Sequence, residues 1–131
     1  MSFSGDIRKF AKDAGDAHDK ITRAATLELF SGVIKSTPVD TGRARGNWQT
    51  AVGTPPTDEL ERDDKSGSQA IAEVEANTPP GAGQQTYMVN NLPYIFALEE
   101  GSSTQAPEGM VRKNVARVQR IVNAAIAKFK V

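Results

Sequence analysis

The sequence predicts an α+β domain, in which a small, mainly antiparallel sheet packs against a long N-terminal helix and a C-terminal helix. Two observations predict the helices: apolar residues recur every three or four positions over 3–36 and again over 107–130. A third predicts the sheet, since residues 46–90 hold short alternating segments divided by Pro- and Gly-rich stretches. We expect the 131 residues to form one domain, with a further short helix over 93–100.

The first helix is predicted over residues 3–36. Ser4 can cap its start, and Pro38 ends it because a proline disfavours helical geometry in the residue before it. The first half of the helix is thinly apolar and highly charged, which is compatible with ordering only against a neighbouring protein. The apolar stripe on one face consists of Ile7, Phe10, Ala14, Ala17, Ile21 and Ala24.

Three strands are predicted between the helices. They cover 48–52, 70–76 and a segment marked by Tyr87 and Val89. The connections over 57–68, which we call the acidic segment, and over 78–85 are longer than a hairpin needs. Their acidic or Gly/Pro-rich composition offers little apolar area to offset the entropy of ordering. We therefore expect long mobile loops.

The C-terminal helix carries a valine stripe, Val111, Val115, Val118 and Val122, at spacings of four and three. This spacing, continued by Ala125 and Phe129, predicts that the stripe holds the helix to the core. The basic residues at other angles should then project outward. Those basic residues are Arg112, Lys113, Arg117 and Arg120.

Composition restricts the classes of function. The formal net charge is zero, which argues against a general nucleic-acid binder. The chain has no cysteine, so neither a disulfide framework nor a thiolate nucleophile exists. No apolar run approaches the roughly 18 residues of a membrane span, and no signal peptide is recognisable at the N-terminus. These features indicate a protein used in the cytosol or in a particle assembled there.

No group of residues indicates catalysis, a cofactor or a metal. His18 is the single histidine and lies in a charged helix without partners at ligand spacing. Glu99 and Glu100 could be paired carboxylates, but no histidine or phosphate-binding loop accompanies them. We expect one of them to pair with a basic side chain or to accept hydrogen bonds from backbone donors at a turn. A small hydrolase is accordingly the least supported class of function.

Two blocks of sequence carry a resemblance to a known family. Residues 37–48 read Thr-Pro-Val-Asp-Thr-Gly-Arg-Ala-Arg-Gly-Asn-Trp, and residues 93–103 read Pro-Tyr-Ile-Phe-Ala-Leu-Glu-Glu-Gly-Ser-Ser. They resemble the Thr-Gly turn and the Tyr/Glu-Gly corner of the phage tail-component family, the tail-completion or head–tail joining proteins of long-tailed bacteriophages. The order of helix, turn, strands, corner and C-terminal helix is also similar to that family's order.

The resemblance implies a structural virion protein without enzymatic activity. Such a subunit forms a homo-oligomeric ring at the head-proximal end of a phage tail and provides a docking surface for the head connector. Its expected partners are the tail tube and the connector, and DNA would pass through the lumen without specific binding. A monomer in solution is also compatible with the family. The expected location is the virion neck, and the host cytoplasm during assembly, with no membrane association.

Charged and aromatic residues are the candidates for the interface with subunits or partners. Trp48 is favoured as a core anchor, although an interface anchor is the alternative. Tyr94 and Phe96 are expected to be buried, so that alanine at either position should destabilise the fold by roughly 3–5 kcal/mol. The full candidate set is Arg43, Arg45, Trp48, Asp58, Glu59, Glu61, Asp63, Asp64, Glu99, Glu100, Arg112, Lys113, Arg117 and Arg120.

A function from another class remains open. The basic C-terminal helix could serve a small nucleic-acid-binding or regulatory module. Salt-dependent binding to arbitrary duplex DNA separates this alternative from the ring protein, which does not require it.

Overall fold

The computed structural model describes the backbone of residues 3–81 and 83–129, and the side chains of 15–81 and 83–129. Its described residues form a mixed fold of helices and one two-stranded sheet, which confirms the predicted fold class. The predicted stripe residues Ile7, Phe10 and Ala14 lie outside the described side chains. The elements are α1 (Phe3–Ser36), α2 (Arg43–Gly46), β1 (Trp48–Val52), α3 (Ser68–Asn77), β2 (Thr86–Asn90), α4 (Ile95–Glu99), α5 (Val111–Val115) and α6 (Val118–Lys128).

The first helix has the predicted bounds. Its 34 residues give a length of about 51 Å. At its C-terminal end the Thr37 hydroxyl donates to the carbonyl oxygen of Val33 at 2.7 Å. The guanidinium of Arg45 donates to the carbonyls of Lys35 and Thr37 at 2.7 and 2.9 Å. These contacts satisfy carbonyls that a helix end leaves without partners.

The sheet of the described residues has two antiparallel strands rather than three. Trp48 pairs with Asn90 at one end, and Val52 pairs with Thr86 at the other. The predicted strand at 70–76 is wrong, because this stretch belongs to helix α3. Its buried residues Ala70 and Val74 are four apart and share one helix face.

The capping of α3 also favours the helix. Asp64 is buried and its carboxylate accepts a hydrogen bond from the backbone N–H of Ala70 at 3.0 Å. A carboxylate that accepts from the first turn of a helix stabilises it. The alternation of apolar residues with Glu73 and Glu75 is compatible with both periods, and tertiary packing decides in favour of the helix.

The core lies where the C-terminal end of α1 meets β1, α3 and the segment before α4. Trp48 is 6% exposed, and its indole N–H donates to the Thr37 hydroxyl at 2.8 Å. This bond joins β1 to the end of α1 inside the core. Trp48 is therefore a core anchor. The buried apolar cluster comprises Val33, Ile34, Ala44, Trp48, Ala70, Val74, Leu92, Ile95, Ala106 and Met110.

The C-terminal helix predicted over 107–130 is two helices, α5 and α6, and its buried face differs from the prediction. Val115 is 51% exposed, and Val111 and Val118 are also exposed. The side chains that face the core are Met110, Asn114, Ile121 and Ala125.

The side chain of Asn114 explains why the C-terminal helices bury a different face from the predicted one. Its amide group donates to the carbonyl of Met110 at 2.7 Å and to the Ser36 hydroxyl at 3.0 Å. A polar side chain thus takes a central position against α1, with its hydrogen bonds made inside the fold. The hydrophobic pattern alone could not reveal this. The prediction of a buried stripe is therefore wrong for Val111, Val115 and Val118, whereas Ala125, which continues the stripe, is buried as predicted.

The acidic segment is irregular, as expected, but it is anchored. Asn47 exchanges hydrogen bonds with the backbone of Leu60 at 2.6 and 3.0 Å. Arg62 donates to the carbonyls of Gly46 and Trp48 and forms an ion pair with Glu73 at 3.1 Å. The mobility of this segment stays a prediction, and these contacts weaken it. The described residues of 78–85 contain no helix or strand.

Candidate interaction surface

The two blocks that carry the family resemblance meet in space. Gln105, two residues beyond the second block, accepts a hydrogen bond from the Val39 N–H at 2.9 Å, and its amide donates back to the Val39 carbonyl at 3.0 Å. A cavity of about 260 Å³ lies between the blocks. Its lining includes Asp40 and Thr41 from the first block, and Tyr94 and Leu98 from the second. The turn after α1 and the corner around α4 therefore form one continuous surface.

Glu99 holds the start of α5. Its carboxylate accepts hydrogen bonds from the backbone N–H groups of Met110, Val111 and Arg112 at 2.7–3.0 Å. The Arg112 side chain pairs with the same carboxylate at 3.0 Å and donates to the Glu99 carbonyl. Burial alone would raise the pKa of Glu99, but these donors outweigh it and hold the pKa below the ordinary value of 4.5.

We expected one residue of the pair Glu99 and Glu100 to pair with a basic side chain or to accept hydrogen bonds from the backbone, and Glu99 does both. It accepts from backbone donors at a turn and also pairs with a base. Glu100 is exposed and takes no part in this network. The two carboxylates thus have different environments, and Glu99 has no capacity left for a substrate or a partner.

Arg43 pairs with acidic residues of its own chain. It contacts Glu61 at 3.1 Å and Glu59 at 2.8 Å. The hydrogen bonds to Glu61 and Glu59 raise the pKa of Arg43, and the bond from Arg43 lowers the pKa of Glu61. Arg43 is therefore paired within its own chain, and the two carboxylates together keep a net negative charge.

Other candidate interface residues are also occupied internally. Arg45 donates to three backbone carbonyls, the third being that of Lys65 at 2.7 Å. Trp48 and Asp64 are buried. Trp48 and Asp64 therefore lie inside the fold, and the half-buried Arg45 is engaged in contacts within the chain. Asp58 and Asp63 remain exposed.

The basic residues of α5 and α6 divide into two groups. Arg112 pairs with Glu99, and Arg117 donates to the Asn114 side chain at 3.0 Å and lies 3.9 Å from Glu28. Lys113 and Arg120 are exposed and have no ion pair within the described part of the chain. Arg117, Arg120 and Lys128 line a cleft of about 330 Å³ against α1, together with Glu28.

The aromatic residues of the corner are exposed. Phe96 is 78% exposed and Tyr94 is 45% exposed, whereas Ile95 between them is buried. The prediction that Tyr94 and Phe96 are buried is therefore wrong. A five-residue helix can direct only one face inward, and the three neighbouring apolar residues gave no signal as to which one. We call the Phe96 side chain the aromatic knob.

An apolar groove runs between α1 and α6, and Thr78 and Pro79 of the connection after α3 also line it. Its volume is about 610 Å³. Its α6 wall consists of Val118 and Val122, which belong to the valine stripe that was predicted to be buried, and of Ile126. The apolar side chains of the groove are Ile21, Ala25, Leu29, Phe30, Val118, Val122 and Ile126. Sequence reasoning missed this groove because it assigned the valines to the interior.

The remaining findings concern catalysis, membranes and relatives. His18 is exposed on α1, and the described residues contain no group of three or more His, Asp or Glu side chains placed to hold a metal ion. Within the same residues no helix is long and apolar enough to cross a membrane. No protein-family model matches the chain, and neither the curated proteins nor the solved structures give a match.

Proposed function

We propose that this chain is a structural virion protein, a tail-completion or head–tail joining subunit. It forms a ring at the head-proximal end of a phage tail and provides the docking surface for the head connector. The position of the two family-like blocks on one surface carries the proposal, because Tyr94 and Leu98 of the second block line one cavity with Asp40 of the first.

The distribution of exposed apolar side chains also supports an assembly protein. Phe96, Val111, Val115 and Val118 lie on the surface of the single chain. Contiguous exposed apolar area is typical of surfaces that become covered by another protein. A ring places a neighbour on two sides of every subunit, so it can cover more than one such area.

The proposed function can be tested by disrupting the gene for this chain in the phage that would encode it. Interrupting the coding sequence should give full heads and separate tails, and the wild-type chain supplied in trans should restore joined particles. Electron microscopy of the lysates and a plaque assay measure both outcomes. Infectious, joined particles in the complete absence of the chain would refute the proposed function.

A charge reversal then tests the basic face. Lys113→Glu combined with Arg120→Glu changes two exposed cations, and should leave the circular dichroism spectrum unchanged while it lowers the number of joined particles. Because Arg117 contacts Asn114 and Glu28, its reversal would also disturb the fold, and it is left unchanged. Lys65→Glu, which reverses an exposed cation before α3, away from both the basic face and the groove, is the control.

The alternative of a nucleic-acid-binding module rests on the cleft that Arg117, Arg120 and Lys128 share. Arg112 and Arg117 already contact carboxylates of the chain, which leaves fewer cations for phosphates. Binding to arbitrary duplex DNA that weakens steeply with added salt, at physiological ionic strength, would favour this module. Absence of such binding would favour the ring protein.

A further inference from the structure

The aromatic knob and the apolar groove are two exposed features of one chain that complement each other. The knob presents a phenyl ring that is 78% exposed. The groove, at about 610 Å³, is larger than the roughly 150 Å³ of apolar cavity that accepts a benzene molecule. A phenyl side chain therefore fits the groove by size and polarity, with room for the backbone of the element that carries it.

The charges around the two features are also complementary. The corner segment 93–108 carries the acids Glu99, Glu100 and Glu108 and no base, and because Glu99 is paired with Arg112, Glu100 and Glu108 are the acids left for a partner. Glu100 is exposed and follows the knob by one helical turn, so both lie on one side of the corner. Arg23 is the charged side chain of the groove lining, and the Asp19 carboxylate lies beside it next to Gly81. The exposed Glu100 can therefore pair with Arg23 when the knob enters the groove.

The two features lie at different places along α1. The groove covers the stretch from His18 to Phe30. The corner contacts the turn beyond the end of the helix, where Tyr94 and Leu98 line a cavity with Asp40. Knob and groove are thus separate patches, and a contact between them joins different surfaces of two subunits. Repetition of such a head-to-tail contact produces a ring when the rotation closes.

We infer that Phe96 of one copy of this chain inserts into the α1–α6 groove of the next copy, with Glu100 facing the Arg23 side of the groove. The occupant is a second copy of the same chain, because size, polarity and charge are matched within one sequence. This inference deepens the proposed function and rests on it for the closed ring, while the contact itself concerns two copies alone.

Because the chain contains no cysteine, mixed cysteine variants test the contact directly. Ala97→Cys, an exposed position beside the knob that leaves Phe96 in place, is mixed with Val122→Cys, which lies in the groove, and disulfide formation is followed by non-reducing electrophoresis of the full-length proteins. The control mixture pairs Ala97→Cys with Gln69→Cys, an exposed position on α3. We expect a dimer band from the first mixture in clear excess over the control.

Two further measurements keep the result interpretable. Thr26→Cys, on the α1 wall of the groove, repeats the test in case Val122→Cys disturbs α6, and circular dichroism checks the fold of each variant. Phe96→Ala should weaken self-association in sedimentation by about tenfold or more, as expected for an aromatic anchor. Glu100→Arg should weaken it as well, and Arg23→Glu in the other copy should restore it.

The results separate the contact from the function. Equal cross-linking in the groove and control mixtures, or none from either groove position, overturns the contact, even if the wild-type chain joins heads to tails. Specific cross-linking in a chain whose loss leaves joined, infectious particles would support the contact and refute the proposed function.

Discussion

Replacing Glu99 with Gln should destabilise the fold by about 2–3 kcal/mol, because hydrogen bonds to a charged group contribute about 1.5–3 kcal/mol. The carboxylate accepts from the backbone N–H groups of Met110, Val111 and Arg112 and from the Arg112 guanidinium. Glutamine keeps the shape and one acceptor oxygen. Its NH₂ group, however, is a hydrogen-bond donor and would face N–H groups that are donors themselves. The lower part of the estimate allows for water, which can reach the exposed N–H groups of Val111 and Arg112.

Urea unfolding of both proteins at neutral pH, followed by circular dichroism, measures this loss. Glu100→Gln is the matched control, since Glu100 is the exposed neighbour outside the network, and it should change the free energy of unfolding by less than about 0.5 kcal/mol. A loss from Glu99→Gln no larger than that of the control would refute the role assigned to the carboxylate.

The pH dependence gives an independent check on Glu99. Its pKa is lower in the folded protein than the ordinary value of 4.5, so the folded state binds the proton less readily than the unfolded state. The stabilisation is therefore complete above pH 4.5 and is lost as the pH falls through the folded pKa. The difference between wild type and Glu99→Gln should shrink on acidification below that value, and a pH-independent difference would contradict the reasoning.

Three other expectations follow from burial and backbone geometry. Phe96→Ala should change the free energy of unfolding by less than about 1 kcal/mol, measured by urea unfolding; a larger loss would mean a buried ring. Gly42→Ala should lower the melting temperature, since φ is +90° and a Cβ would lie 2.5 Å from the Lys65 nitrogen; Gly53→Ala, with φ of +84° but open space around it, should lower it less, because only the backbone strain remains. Hydrogen exchange should protect Leu60 and Asp64, whose N–H groups are bonded, more than 83–85; the reverse order would contradict the anchoring.

The sequence predicted the elements whose periodicity is long or whose ends carry strong signals. Helix α1 has a proline stop at Pro38, and β1 and β2 alternate between Pro- and Gly-rich connections, so their bounds were close. Helix α3 was missed because its ten residues satisfy both periods, and the contacts that favour the helix, the packing of its buried face and the bond from Asp64, involve residues outside the segment.

The candidate surface was only partly predictable for a similar reason. Sequence shows that residues are charged or aromatic, but not which of them the fold uses internally. Arg43, Arg45 and Glu99 were candidates for contact with a partner, and each makes its contacts within the chain. The valine stripe has ideal spacing for a core face, yet Asn114 takes the interior position because its hydrogen bonds are made there.

The contact between Asn114 and α1 fixes the position of α5 along α1. Gly32 leaves the space that the Asn114 amide fills, and an added Cβ at Gly32 would collide with that amide. Sliding α5 along α1 by one turn would place a side chain of α1 against the amide and remove its bond to Ser36. Two helices with a purely apolar interface could shift along each other at little cost in free energy. A buried amide that fits at one position only, and makes its hydrogen bonds there, prevents such a shift. A force applied to α5 and α6 would therefore be transmitted to α1 without changing the position of α5 along α1.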